Sequence, residues 1–229
     1  MSEAATGPYS GIDNLEIMEE ALNYKAFLRD LVVTRVRPND DVVDFGAGTG
    51  VLARPLVAAG YRVSCVERDP QLRARLANAS LTVHATLEEI PAGSLDFIYT
   101  VNVLEHIRDD VAIVTALRAR LKPGGSLLVY VPAFPLLYSS MDRKVGHVRR
   151  YRRGQLVSVL RRARLRVEYA AHRDCLGFFA ALLFKLAGND TGSINRRALV
   201  AYDRYTFPLS RRLDRWFGKN LLVVGRRDL

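Results

Sequence analysis

Between Asp41 and Pro132 short apolar runs alternate with helical stretches, and this rhythm restricts the fold more than any other feature of the chain. Val42–Phe45, Arg62–Val66, Thr82–Ala85, Phe97–Val101 and Ser126–Pro132 read as strands. Val51–Ala59, Gln71–Ala77 and Val111–Leu121 read as the helices between them. Such an order predicts right-handed βαβ units, hence a mostly parallel sheet with helices on both faces. Arg166–Ala171 and Asn220–Gly225 supply two further strands, for a seven-stranded α/β sandwich.

The flanks are less regular. The first residues, through Gly11, look loose, and Leu15–Val36 then carries apolar residues at helical spacing until Pro38 ends it. Residues 133–155 form a long irregular connection. Gln155–Leu165 restores an amphipathic helix, with Leu156, Val159, Leu160 and Ala163 on one side and arginines opposite. A helical insertion, Asp174–Lys219, separates the last two strands; connections of this length inside a domain usually serve function. At 229 residues the expectation is one domain: a helical cap at 1–37, a ligand-binding core at 38–135, and an acceptor side at 136–229.

Charge divides the chain at its middle. Residues 1–120 have a net charge of −5 and residues 121–229 a net charge of +15. From Arg143 to Arg166 there are ten basic residues and no acid. Such a field favours an anionic partner, or else forms a solvated face. Cys65 and Cys175 lie far apart without metal-ligand spacing and read as buried thiols in a reducing compartment. No charged-then-apolar leader opens the chain and no apolar run reaches bilayer length. The expected location is cytoplasmic, with peripheral contact at the inner membrane surface left open.

The sharpest motif is DFGAGTG, Asp44 to Gly50, between the first strand and its helix. Glycines allow backbone angles and approaches that a β-carbon forbids. In an open α/β sheet, ligands sit beyond the carboxyl ends of the strands. A dinucleotide fingerprint would need GxGxxG, but Val51 stands where its third glycine belongs. A carboxylate at Asp44 also suits a cation better than a pyrophosphate. The stretch resembles motif I of class I S-adenosylmethionine-dependent methyltransferases. Leu95–Tyr99 with Asn102–His106 resembles that family's fourth strand and outlet, and Leu121–Leu127 its turn into strand five.

The resemblance implies a Rossmann-like fold binding S-adenosylmethionine and leaving S-adenosylhomocysteine. It assigns Gly46, Gly48 and Gly50 to backbone approach and Asp44 to the amino group of the cofactor. Glu67 ends strand two, where two acceptor oxygens match a ribose diol, and Arg68 follows it. Thr86 and Leu87 occupy the adenine position, although many relatives carry an acid there. Asn102 at the fourth outlet and Tyr24 on the first helix complete the expected cofactor set.

For the acceptor, Gly146-His147-Val148-Arg149-Arg150-Tyr151 resembles a segment found after strand five in a subgroup of these enzymes. His147 is the expected base or hydrogen-bond donor, with His106 and Tyr151 as further catalytic candidates. Arg149, Arg150 and Tyr138 are the expected substrate contacts. Glu105 reads as a supporting residue, and Asp109-Asp110 as dipole-stabilising acids opening a helix, so no metal is expected. The expected reaction is methyl transfer to a small-molecule acceptor that is anionic, sugar- or lipid-linked, or a secondary metabolite. RNA methylation and a non-methylating cyclase or scaffold role are the alternatives, and no DNA partner is expected. The insertion could rest on a membrane, and the sequence does not choose between monomer and homodimer.

Overall fold

The computed structural model describes residues 18–186, 195–213 and 217–229. The loose start, the first turn of the expected Leu15 helix, and Gly188, Arg215 and Trp216 of the insertion lie outside them. Seven strands form one sheet in the order β3-β2-β1-β4-β5-β7-β6. These are β1 (Asp41–Phe45), β2 (Arg62–Val66), β3 (Thr82–His84), β4 (Leu95–Val101), β5 (Leu121–Pro132), β6 (Arg166–Arg173) and β7 (Asn220–Arg226). The first five are parallel, whereas β7 runs antiparallel to both β5 and β6. From β1 the chain builds outward through β2 and β3, then returns to place β4 on the other side. The crevice at that reversal is where such sheets hold ligands.

Alternate residues of each strand serve opposite cores. Val43, Ile98, Leu127, Val129, Leu221 and Val223 face α4 (Asp110–Arg120) and α6 (Arg153–Arg162) through Val114, Leu117, Leu156 and Leu160. Val42, Phe97, Tyr99, Leu128, Tyr130 and Leu222 face the other layer. That layer is α1 (Leu22–Val33), α2 (Ala53–Ala58), α3 (Pro70–Asn78) and, later in the chain, α9 (Phe207–Leu213). Each fully buried Leu, Ile or Val contributes about 1.5–3 kcal/mol, so the paired cores hold the strand ends rigidly in place.

Three expectations need correction. Strand five begins at Leu121 rather than Ser126, because a register shift lets Leu121 pair with Leu95 while Ser126 pairs with Phe97. The extra residues bulge at Gly124, whose φ is +80°, and a β-carbon on Gly125 would stand 3.0 Å from the Leu95 carbonyl. The α6 helix stops at Arg162, two residues before Arg164 turns left-handed at φ 59°. The connection after β5 is not irregular throughout. It contains a 3-10 turn at Pro135–Leu137 and α5 (Ser140–Lys144), whose Ser139 and Asp142 form a capping box.

The insertion between β6 and β7 comprises α7 (Cys175–Leu186), α8 (Arg196–Ala201), a π-helical turn at Tyr202–Thr206, and α9. Two buried acids hold it. Asp174 accepts from Ser210 and the Gly177 amide and pairs with Lys219 at 3.1 Å. Asp203 accepts the Asn23 and Tyr24 amides at 2.9 and 2.8 Å, capping the first turn of α1 from 180 residues away. Phe207 adds rings 5.4 Å from Tyr24 and 5.5 Å from Phe27, so the helical cap and the insertion pack as one layer.

Candidate active site

The glycine turn is drawn tight against the sheet. Gly46, Gly48 and Gly50 all have positive φ, at 80°, 56° and 77°. The Gly46 and Ala47 amides bond the Val66 carbonyl, wrapping the turn over the end of β2. A β-carbon on Gly46 would stand 2.4 Å from a Val103 methyl, and one on Gly50 2.6 Å from a Leu76 methyl. These two glycines therefore answer to the protein's own packing as well as to a ligand. The Gly48 amide donates to Glu67 Oε2 at 2.9 Å, and the Asp69 amide to Oε1 at 2.9 Å. Glu67 is thus fixed between the outlets of β1 and β2, yet each oxygen keeps a lone pair that a diol could use.

Asp44 lies at the end of β1 with 4% of its surface exposed. Burial pushes its carboxyl up to about 7, and the nearby Glu67 charge adds to the rise. No protein cation contributes to that balance, so an incoming ammonium is the partner that would ionise it. Across the crevice Asn102 adopts φ 55°, a left-handed angle that asparagine tolerates, and its amide bonds the Tyr130 carbonyl. The Tyr24 ring lies 6.4 Å from that of Tyr130, which neighbours Val101 across the β4–β5 ladder, and burial pushes its phenol up. The first helix thereby reaches the fourth outlet. The donor set fits the cofactor: a buried carboxylate without a cation, a fixed carboxylate at the second outlet, and a turn no side chain could enter.

Other expected cofactor residues separate. Arg68 is exposed, and its carbonyl accepts from Arg73. Thr86 opens the 3-10 turn Leu87–Glu89, and Glu89 Oε1 curls back to accept the Ala85 and Thr86 amides at 3.1 Å. The Leu87 side chain is 4% exposed in the core, and its carbonyl accepts from Arg120.

The acceptor candidates form a network the sequence did not disclose. The Phe134 amide bonds the Tyr151 carbonyl and the Tyr151 amide bonds the Pro132 carbonyl, both at 3.0 Å, stitching the Gly-His segment to β5. His147 Nδ1 stands 2.7 Å from Asp142 Oδ1, and its Nε2 lies 3.7 Å from Glu105 Oε1. The His106 and His147 rings meet edge to face at 4.7 Å. Burial drives His106 down to about 4, with the neighbouring His147 adding to the shift, so its ring is neutral. Burial likewise drives Glu105 up to about 8, and neither of its carboxyl oxygens has a hydrogen-bond partner. Burial would also raise Asp142, but hydrogen bonds from His147 and Arg150 outweigh it and hold that carboxylate well below its usual range.

Four of the expected acceptor-side residues are engaged within the protein. Arg149 Nη1 pairs with Asp110 at 2.6 Å and its Nη2 donates to the Arg108 carbonyl, while Arg150 Nε pairs with Asp142 at 2.8 Å. Both guanidiniums are held by the protein's own carboxylates rather than offered to an acceptor. Tyr151 has no exposed surface, and its hydroxyl reaches Asp110 at 3.0 Å and the Leu104 carbonyl at 3.2 Å, so it is a core residue. Tyr138 donates to the His147 carbonyl at 2.7 Å, strapping the segment rather than standing free. Asp109 caps α4 through the Ala112 amide, as its place at a helix start implied, whereas Asp110 is an ion-pair partner.

Asp142 is the functional candidate that sequence reading missed, though it is the last acid before the acid-free basic run and stands three residues after Ser139. Among the described residues, Glu105, His106 and His147 also bring ligand atoms within 4.8 Å of one another, a grouping able to hold a cation. Asp142 already takes one nitrogen of His147, and Glu105 keeps its proton near neutral pH, which weakens that set as a cation site.

Comparison with known proteins agrees with this fold. The chain is 33% identical over 111 residues to the ubiquinone biosynthesis O-methyltransferase of Xanthomonas campestris pv. campestris. That match covers 44% of this chain and 46% of the relative, so the chain spans about half the length of the curated relative it matches. A SAM-dependent methyltransferase from Archaeoglobus fulgidus superposes with a TM-score of 0.61 at 16% identity, over 90% of this chain and 94% of that one. Haemonchus contortus phosphoethanolamine N-methyltransferase 2, in complex with S-adenosyl-L-methionine, gives 0.65 at 15% identity, over 100% of this chain and 62% of that one. The methyltransferase domain model matches residues 15–172, and the chain belongs to that family of S-adenosylmethionine-dependent methyltransferases.

Proposed function

We propose that the chain transfers the methyl group of S-adenosylmethionine to a hydroxyl oxygen of a small-molecule acceptor, with His147 as the proton acceptor. The observation that carries this reading is the Asp142–His147 contact of 2.7 Å. An ionised Asp142 favours the tautomer with the proton on Nδ1, leaving the Nε2 lone pair to take a hydroxyl proton. An amine or carbanion acceptor has less need of such a base. The O-methyltransferase names of the sequence relatives point the same way.

The sulfonium, when bound, supplies its own electrophilic methyl and leaving group. The residues of this chain then have three tasks. Asp44 takes the ammonium and Glu67 the ribose. Tyr24 and Asn102 bring the helical cap over the crevice and keep water from the reacting oxygen. His147, steadied by Asp142 and packed against a neutral His106, takes the acceptor proton. Because Arg149 and Arg150 are engaged internally, recognition of an anionic acceptor would fall to exposed cations such as Arg143 and Lys144 on α5.

The test is methyl transfer from labelled S-adenosylmethionine to a panel of phenols, catechols and sugar hydroxyls, with amines as controls. His147→Gln should lower kcat by about 10²–10⁴-fold while binding S-adenosylhomocysteine as the parent does. Undiminished kcat in His147→Gln, or transfer to amines alone, would defeat the role given to His147.

A further inference from the structure

Among the described residues, the insertion leaves a greasy face without cover. Phe179, Leu183 and Leu186 recur on α7 at i, i+4 and i+7, which places them on one stripe, and they are 52%, 67% and 73% exposed. Only Gly177 and Phe178 of this helix are buried. Lys185 Nζ donates to the Leu136 carbonyl at 2.6 Å, and Leu136 is itself 63% exposed. Single exposed leucines are ordinary, but a continuous stripe marks a surface that meets something.

The charge around the stripe identifies what that is. Among the described residues of 174–219 the two acids, Asp174 and Asp203, are both buried and consumed by internal partners. The basic side chains Lys185, Arg197, Arg204 and Arg212 are exposed. Arg197 and Arg204 line a hollow of ≈ 450 Å³ with Val200 and Tyr205, at whose rim Glu20 pairs with Arg196 at 2.6 Å. A second copy meeting this face with its own identical face would bring like charge against like. A nucleic acid would use the arginines but has no use for a leucine stripe. An insertion that carries exposed apolar side chains together with exposed arginines and a lysine matches a surface of anionic headgroups over acyl chains. None of the helices is long and apolar enough to cross a bilayer among the described residues, which leaves contact with one leaflet.

We infer that the α7–α9 insertion docks the protein on an anionic lipid surface, with Phe179, Leu183 and Leu186 entering the acyl boundary. The inference is independent of which acceptor is methylated.

Flotation of the full chain with vesicles tests this directly. It should rise with phosphatidylcholine vesicles that contain phosphatidylglycerol, remain behind with pure phosphatidylcholine, and be partly released by salt. Leu183→Glu/Leu186→Glu should lower the bound fraction at least about tenfold, and Arg197→Glu/Arg204→Glu should do the same at low salt. Undiminished S-adenosylhomocysteine binding and an unchanged thermal melt would establish that both variants are folded. Failure to float with anionic vesicles, equal binding to neutral ones, or full binding by either variant would overturn the inference. So would a dimer in sedimentation velocity that Leu183→Glu/Leu186→Glu dissociates without any vesicle binding by the parent.

Discussion

Binding of S-adenosylhomocysteine should expel a proton, because Asp44 waits in the crevice half protonated. Its carboxyl is pushed up to about 7 by burial, with no protein cation to oppose the shift. An ammonium at that carboxylate ionises it, so the release should be roughly 0.9 proton at pH 6, 0.5 at pH 7 and 0.1 at pH 8. Affinity should fall about tenfold for each pH unit below 7. Calorimetric titration in two buffers of different ionisation enthalpy measures the release, since the apparent heat changes by that enthalpy times the protons expelled. Asp44→Asn should abolish the buffer dependence and weaken binding by about 1.5–3 kcal/mol, the worth of a charged hydrogen bond. A heat that is the same in both buffers at pH 6 would refute the reasoning. So would proton release that persists in Asp44→Asn.

Glu105 offers a second titration. Its folded carboxyl, raised by burial from 4.5 to about 8, holds a proton that the unfolded chain has lost, so stability is full below pH 4.5 and declines as pH rises toward 8. Glu105→Gln should flatten that decline and gain on the order of 4 kcal/mol at pH 8, read from urea unfolding at several pH values; parallel profiles would refute it. Arg150→Ala should act on stability rather than on acceptor KM, costing about 3 kcal/mol, since Arg150 and Asp142 are 12% and 1% exposed. A higher acceptor KM with an unchanged melt would show the arginine facing the acceptor after all. Gly46→Ala should cost about 1–3 kcal/mol from the Val103 clash and the left-handed angle. Adding Val103→Ala should recover part of that loss but not all, and full recovery would remove the backbone strain from the account.

The cofactor half was legible because its signals are local. A strand, a turn of three glycines and a helix occupy adjacent residues, and Glu67 follows at the next strand's end. The acceptor half resisted for the opposite reason. Arg149 reads as a free cation until α4 brings Asp110 against it, 39 positions earlier. Tyr151 reads as a reactive phenol until the bridge to Ala133 carries it under the sheet. Asp142 was hidden by its short helix, which its own capping box creates.

The cap that Asp203 places on α1 also imposes an order on biosynthesis. Asn23 and Tyr24 leave the ribosome long before residue 203 is made, and until then the first turn of their helix lacks its acceptor. The first helix can rest its phenylalanine and leucines on the sheet as that forms, but it lacks the Phe207 ring and the Asp203 cap until the insertion is translated. A nascent chain stalled before the insertion would hold an uncapped first helix and a sheet still missing β7 between β5 and β6, and in that interval it would depend most on chaperones.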